Sequence, residues 1–278
     1  MSPERAVAGL PRPTTPEGQA GLDALVSAPG SALIASDYDG TLSPIVSDPA
    51  AARGLPSAIA ALRRLAPCIG TLAVITGRPV AEAVELGDLA GVPGLIVLGH
   101  YGRERWENGR VTAPPASPGV ATARRELPGV LRAADAPGGV RIEDKGDALA
   151  VHTRGTADPD AAQARLRSPL QALADRTELV LEPGRRVIEL RPPGTDKGAA
   201  LTDLAAQRGA RSVLFCGDDL GDLPAFAAVR ALRSGGIPGV TVVSAAPESE
   251  VPPTEADLAV DGPQGVAALL AAIADAIS

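Results

Sequence analysis

Lysine is nearly missing from this chain. Of its 26 basic residues, all but Lys145 and Lys197 are arginines. Lysine offers a compact, flexible point charge where arginine offers a planar fork, so both lysines become candidates for chemistry, with accident as the alternative. Histidine is as scarce, at His100 and His152. The two cysteines, Cys68 and Cys216, lie far apart and without metal-ligand spacing, which argues against a disulfide framework and leaves buried thiols. No excess of positive charge exists: the net charge is −7, which speaks against a nucleic-acid binder that works by neutralising phosphates. No apolar run reaches the length of a membrane span, and the start Met-Ser-Pro-Glu-Arg-Ala-Val-Ala-Gly-Leu-Pro has no long apolar core of a signal peptide. A cytoplasmic protein without membrane or nucleic-acid partners is expected. No internal repeat is visible.

What the chain does have is material for a core. Hydrophobic residues make up 45% of its 278 positions, enough for one large domain or two moderate ones. The stretch around which the rest is organised is Ser31–Ile45. Its apolar part, Ala32 to Ala35, reads as a short buried strand that ends on Asp37-Tyr-Asp-Gly-Thr41. A turn at Gly40 brings two carboxylates to one opening. Such a pair can bind a divalent cation, or divide the work of nucleophile and acid/base; it can also be a plain Asx turn. A calcium loop is excluded, because Thr41-Leu-Ser-Pro-Ile-Val supplies no further ligands at the required offsets.

Strands and helices alternate after it. The spacing predicts a helix over Pro56–Leu65 and a strand over Ile69–Ile75 that ends on Thr76, Gly77 and Arg78, with Pro79 at the first position of the next helix. A hydroxyl beside a helix amino end suits a phosphate, and it also suits an ordinary N-cap. A third strand, Leu95–Gly99, leads into His100-Tyr-Gly-Arg-Glu-Arg-Trp106. This pattern predicts a parallel sheet with ligands beyond the carboxyl ends of its strands. Residues 107–119 read as a hinge. A different block follows: a helix at Val120–Leu131, two strands around a turn at Lys145–Asp147, a helix at Pro159–Arg176, and a hairpin over Glu178–Arg191 turning at Pro183-Gly184. The parallel pattern then resumes. Thr195-Asp-Lys opens a helix to about Gln207, and the strand Ser212–Gly217 ends in Asp218, Asp219 and Asp222. The helix Leu223–Val229, strands Val240–Val243 and Leu258–Val260, and a last helix from Gln264 close the chain. The expected organisation is a loose tail over 1–30 with a short helix at Gln19–Val26, an α/β core over 31–112 and 194–278, and an inserted α+β domain over 113–193.

The hexapeptide Asp37-Tyr-Asp-Gly-Thr-Leu42 resembles the first motif of the haloacid-dehalogenase-like phosphatases. With Thr76, Lys197 and the acids at 218, 219 and 222 in the right order, the four-part set of that superfamily is complete. The resemblance runs from about Leu33 to the C-terminus. It implies a Rossmann-like parallel core of haloacid-dehalogenase type with an inserted α+β cap between the second and third motifs. Asp37 would attack phosphorus and carry the phosphoryl group; Asp39 would protonate the leaving oxygen and then activate water, which requires a raised pKa in the first step. Thr76 would hydrogen-bond the phosphoryl oxygens, Lys197 would offset negative charge, and Gly77 and Arg78 are expected among the substrate contacts. Carboxylates facing a phosphate dianion need a cation. Mg²⁺ is implied, held by Asp37, Asp218 and the backbone carbonyl of Asp39, with Asp222 or Asp219 ligating directly or through water.

Three segments of the insert, Ile142-Glu-Asp-Lys145, His152-Thr-Arg154 and Val187-Ile-Glu-Leu-Arg-Pro192, look like the cap of the trehalose-6-phosphate phosphatases, and Gly217-Asp-Asp-Leu-Gly-Asp222 fits the same family. By that resemblance Glu143, Lys145 and Glu189 bond sugar hydroxyls; the alternative is surface charge on a solvated sheet. Mg²⁺-dependent hydrolysis of trehalose 6-phosphate through an aspartyl-phosphate is therefore expected, by a monomer acting on a small sugar phosphate. The competing readings are a phosphatase for sucrose 6-phosphate or a glucosyl-phosphoglycerate, a sugar-phosphate sensor that does not turn over, and transfer to a second sugar. One departure stands out. The family often has Gly-x-His-Gly after its third strand; here Gly99-His100-Tyr101-Gly102 displaces the histidine by one position.

Overall fold

The computed structural model describes residues 9–278 apart from Ser47, Ala116, Arg185, Thr195, Glu248 and Glu250. The first part of the expected tail, and Thr195 at the expected opening of a helix, lie outside the described residues. The chain divides into two compact units, one of Met1–Ala113 with Asp196–Ser278, the other Pro114–Thr195.

The first half of unit one runs α1 (Pro16–Ser27), β1 (Ala32–Ser36), α2 (Pro56–Leu65), β2 (Thr71–Ile75), α3 (Val80–Gly87), β3 (Ile96–Gly99), β4 (Glu104–Glu107) and β5 (Arg110–Thr112). Unit two holds α4 (Pro118–Ala133), β6 (Arg141–Asp144), β7 (Leu149–His152), α5 (Pro159–Arg176), β8 (Val180–Gly184) and β9 (Val187–Arg191). The chain returns to unit one with α6 (Lys197–Arg208), β10 (Ser212–Gly217), α7 (Leu223–Ser234), β11 (Gly239–Ala245), β12 (Leu258–Asp261) and α8 (Gly262–Ile277).

Among the described residues, unit one forms an eight-stranded sheet in the order β12-β11-β10-β1-β2-β3-β4-β5. The neighbours from β12 to β3 pair in parallel, and β4 and β5 pair antiparallel. Strand β1 shows why the sheet is central. All five of its residues are buried. Ala32 and Ile34 join the core formed with α1, α2 and α8, while Leu33 and Ala35 join the core formed with α6 and α7. The period-two alternation thus feeds two helical layers, one on each face, as a parallel sheet requires. The order also reverses beside β1: successive strands are laid down toward β3 on one side and from β10 to β12 on the other. Ligands in open α/β sheets bind at such a switch point.

Unit two is a four-stranded antiparallel sheet, β6-β7-β9-β8. Leu149, Val151, Ile188 and Leu190 pack with Val120, Leu127, Leu166, Leu170 and Leu173 of α4 and α5. One face is therefore apolar and covered. The residues that alternate with these on the other face are largely polar.

Several expectations shift. Residues 104–112, partly expected as hinge, form the β4–β5 hairpin, turning through Asn108 (φ 52°) and Gly109 (φ 76°), the Asn-Gly pair that a tight hairpin favours. The second hairpin turns after Gly184 rather than at Pro183-Gly184, which belong to β8 and pair with Ile188 and Val187. Pro79 caps α3 from outside instead of opening it. The short helix expected at Gln19–Val26 of the tail is α1, longer at its amino end, with Leu22 and Leu25 buried and Thr15 as its N-cap. No helix among the described residues is long and apolar enough to cross a membrane.

Candidate active site

The carboxyl ends of three adjacent strands put the first group of side chains together. Asp37 follows β1 directly and donates its N–H to the Cys216 carbonyl of β10 at 2.8 Å. Asp218 follows β10. Thr76 follows β2, its N–H donating to Leu98 O at 2.9 Å. The chain after Asp37 bends back sharply through Gly40 at φ 71°, and a Cβ there would come within 2.1 Å of Asp218 Oδ2. Glycine is required on both counts. Thr41 Oγ1 donates to Asp218 Oδ1 at 3.2 Å, and Ser244 Oγ holds the Gly40 carbonyl at 2.7 Å.

Lys197, the first residue of α6, enters this group from outside the sheet. It is 3% exposed. Its Nζ lies 2.9 Å from Asp37 Oδ1, donates to Asp222 Oδ1 at 2.8 Å and stands 3.9 Å from Asp219 Oδ1. Asp222 is completely buried. Its second oxygen accepts the N–H groups of Asp218 and Asp219 at 2.9 and 3.1 Å. The charge balance is one cation against four acids. Burial, and then the acids at 222, 219 and 218, push Asp37 well above the carboxylate range despite Lys197. Burial followed by Asp222 and Asp219 pushes Asp218 up to about 8, and burial pushes Asp222 up to about 6. Three of the acids, Asp37, Asp219 and Asp222, each present an oxygen within 4.8 Å of the others. A hard divalent cation suits such a donor set. The two lysines singled out by their rarity thus occupy two charged clusters, one in each unit.

Asp39 takes a different partner. Arg78 binds it through a two-pronged contact, Nε to Oδ2 at 2.7 Å and Nη2 to Oδ1 at 2.8 Å. Arg78 also pairs with Glu82 one turn along α3 and donates to Pro49 O at 3.0 Å. Arg78 was expected among the substrate contacts; each of its three nitrogens is instead engaged within the protein, and its geometry is that of a clamp on Asp39. Thr76 Oγ1 accepts the Arg78 N–H at 3.2 Å, which fixes the hydroxyl beside Gly77. The turn at His100 (φ 46°) and Tyr101 (φ 58°) braces this loop, since His100 N–H donates to Arg78 O and Tyr101 N–H to Thr76 O, both at 3.0 Å. The displaced histidine is 3% exposed, with its Nε2 3.8 Å from Glu104 Oε1. Neither this brace nor the Arg78 clamp was read from the sequence. The second had a local trace in the Arg78–Glu82 spacing of one helical turn; the first had none.

The candidate residues of unit two lie on the polar face of its sheet. Glu143 on β6 stands opposite Ala150 on β7, which stands opposite Glu189 on β9. Residues directly opposite share a face, so two acids flank one small side chain. Lys145 Nζ lies 3.3 Å from Glu189 Oε1, and Glu189 is 5% exposed. His152 Nε2 lies 2.6 Å from Glu143 Oε2. Arg154 is exposed beyond the end of β7.

Known proteins resemble this chain in sequence and in fold. The sequence is 34% identical over 256 residues to a trehalose-phosphate phosphatase of Mycobacterium avium, an alignment that takes in 86% of this chain and 61% of that one. The chain thus spans about three fifths of that relative's length. The fold matches the C-terminal domain of a Candida albicans trehalose-6-phosphate phosphatase with a TM-score of 0.74 at 20% identity, over 96% of this chain and 99% of that one. It also matches a haloacid dehalogenase-like hydrolase from Bacteroides thetaiotaomicron, with a TM-score of 0.56 at 17% identity over 86% and 97% of the two chains. The model of the trehalose-phosphatase family matches residues 35–264, most of both units and every candidate residue above, and the chain belongs to that family.

Proposed function

We propose that the chain is a divalent-cation-dependent phosphatase that hydrolyses trehalose 6-phosphate to trehalose and phosphate through an aspartyl-phosphate on Asp37. One observation carries the reading: a buried lysine bridges Asp37 and Asp222 beyond the carboxyl ends of β1 and β10, at the switch point of the sheet. A turn-forming aspartate needs no such partner, whereas a nucleophile that must approach a dianion does.

Asp37 attacks phosphorus in line with the sugar oxygen, and the bond to that oxygen breaks. Asp39 delivers the proton to the departing oxygen and later takes one from the water that attacks phosphorus, whose bond to Asp37 then breaks to release phosphate. Arg78 holds Asp39 and must share it with that proton as the reaction proceeds. Thr76 and the N–H groups around Gly77 hold the phosphoryl oxygens at the amino end of α3. Lys197 stays protonated among its acids and offsets charge on Asp37 and the phosphate. The acids outnumber their cation, and the raised affinity of Asp37, Asp218 and Asp222 for protons fits a group gathered about a cation, Mg²⁺ by preference: Asp37, Asp218 and the Asp39 carbonyl would hold it, with Asp219, an oxygen of which lies within 4.8 Å of one on Asp37, ligating directly or through water. Asp222, with both oxygens engaged by Lys197 and two N–H groups, orders the group from behind. The cation, when bound, supplies charge screening and alignment of the phosphoryl group. Glu143, Lys145 and Glu189 read the sugar hydroxyls.

Phosphate release tests this directly, with Mg²⁺ and with chelator, on trehalose 6-phosphate, sucrose 6-phosphate, glucosyl-phosphoglycerate and glucose 6-phosphate. A Mg²⁺-dependent preference for trehalose 6-phosphate is expected. Preference for another substrate discards the sugar assignment and keeps the chemistry; binding without release discards the chemistry.

A further inference from the structure

The polar face of unit two contains a hydrogen bond that the proposed recognition of sugar does not by itself require. His152 sits on β7 in register with Arg141, two positions along from Ala150, which faces Glu143. It therefore reaches Glu143 diagonally across the strand pair. Its Nε2 lies 2.6 Å from Glu143 Oε2, a short contact that leaves the His152 side chain 21% and the Glu143 side chain 35% exposed. The bond draws Glu143 below the usual carboxylate range, ahead of the opposing effect of burial, so the carboxylate is ionised at neutral pH and has acceptors only. Nε2 must then carry the hydrogen. One oxygen of Glu143 is committed to His152, and the other remains for a ligand.

Glu143 without this bond would be a flexible side chain of three rotatable bonds on the outermost strand of the sheet. Glu189, across the Ala150 gap, has a partner of its own in Lys145 at 3.3 Å. The two acids stand on either side of β7, about 10 Å apart by strand spacing. Each is anchored by a basic side chain from the same face. A ligand with many hydroxyls gains from such walls only if both are fixed before it arrives, since ordering a rotamer-rich side chain on binding weakens affinity.

We infer that His152 is a positioning residue for sugar recognition: it holds Glu143 in the rotamer that accepts a substrate hydroxyl opposite Glu189. This rests on the reading that the polar face of unit two binds the sugar. His152 touches no reacting atom in this role. Its loss raises KM for a substrate that carries the sugar and leaves the chemical step alone.

The experiment compares wild type with His152→Ala, His152→Gln, Glu143→Ala and the double variant His152→Ala/Glu143→Ala, on trehalose 6-phosphate and on p-nitrophenyl phosphate, each in Mg²⁺. A thermal melt of each variant checks that it folds. For His152→Ala, KM for trehalose 6-phosphate is expected to rise about tenfold with kcat within about twofold, and the loss in kcat/KM is expected to exceed that on p-nitrophenyl phosphate by about tenfold or more. Gln keeps an N–H donor of similar reach, so His152→Gln is expected to recover most of the loss. The double variant is expected to be no worse than Glu143→Ala. If Glu143→Ala impairs trehalose 6-phosphate and His152→Ala does not, the positioning role is overturned and the sugar-binding face stands. If Glu143→Ala has no effect either, both are overturned. Equal losses on the two substrates, or no rescue by Gln in a folded protein, would assign His152 a purely structural role.

Discussion

Asp37 is a carboxylate in the wrong surroundings for stability. It is buried, and three further acids face it across a single lysine. Residues kept under such strain serve chemistry rather than folding. Asp37→Asn keeps the shape and a hydrogen-bonding oxygen but removes the proposed nucleophile. Turnover of trehalose 6-phosphate is expected to fall more than about a thousandfold while the far-ultraviolet circular dichroism stays that of the wild type; normal turnover would remove the covalent step. Asp218 leads to a less obvious expectation. With burial and two neighbouring acids lifting it to about 8, Asp218 must take up a proton to fold at neutral pH unless a cation is bound. A group whose folded pKa is raised costs stability that grows from its unfolded pKa, about 4, up to the folded value. Asp218→Asn keeps the acceptor for Thr41, so in chelator its melting midpoint is expected to lie a few degrees above wild type. The gain of stability that wild type shows on adding Mg²⁺ is expected to shrink or vanish. A variant that melts lower in chelator would mean that Asp218 is a structural partner. Most of these side chains were legible in the sequence, because each sits where an apolar strand stops and alternation ends. What Arg78 does was not. Its partner Asp39 lies on another strand end, and only the fold makes the two neighbours.

Elements announce themselves in sequence to the degree that they bury an apolar face. Helix α2, helix α5 and strand β10 have the bounds that their spacing predicts. Strand β4, Glu104-Arg-Trp-Glu, and strand β5, Arg-Val-Thr, have no buried residue, so the Asn-Gly turn between them was the sole signal and composition spoke for a hinge. Helix α1 is a different case. Its Leu22 and Leu25 were visible as a short pattern, but what docks it was not. Asp257, before β12, accepts from Thr15 Oγ1, from Arg233 at the end of α7, and from Thr241 N–H and Oγ1 on β11 at 2.8 Å each; its own carbonyl accepts the Thr14 N–H at 2.7 Å. Three segments donate to one carboxylate. Burial acts to raise its pKa, yet the bonds from Arg233, Thr15 and Thr241 together bring it below the usual range. Asp257→Ala strands Arg233 and several donors, which costs about 3 kcal/mol or more and lowers the melting midpoint by about 10 °C. A depressed carboxylate stabilises above its unfolded pKa, about 4, and that contribution disappears as pH falls through the lower folded value. The gap between wild type and variant is therefore expected to be full at pH 7 and to close below about pH 4. A gap that persists at pH 2 would mean that the effect is packing rather than charge.

At the scale of the whole molecule, the two units differ in construction. Unit one has a parallel sheet covered on both faces, with its polar groups gathered at the strand ends. Unit two has one covered face and one polar face, which offers hydroxyl-bonding groups over an area instead of at a point. The division was legible because the period of the sequence changes at the insert and changes back at α6. The reason lies in physics: phosphoryl transfer needs a few groups held rigidly, while a sugar is read by many acceptors and donors that it leaves unpaired if it is wrong. On the proposed reading the two tasks separate in a single substitution. Glu189 is buried and paired with Lys145, so Glu189→Gln is the variant of choice: it keeps volume and one acceptor and removes the charge. Its kcat/KM for trehalose 6-phosphate is expected to fall by about a hundredfold, the loss of a charged hydrogen bond in a closed site. Phenyl phosphate carries the same phosphoryl group with no hydroxyl for unit two to read, and is expected to change by less than about threefold. If both substrates fall together, Glu189 supports the catalytic unit or the fold itself, and the sugar must be read by residues other than those on this face.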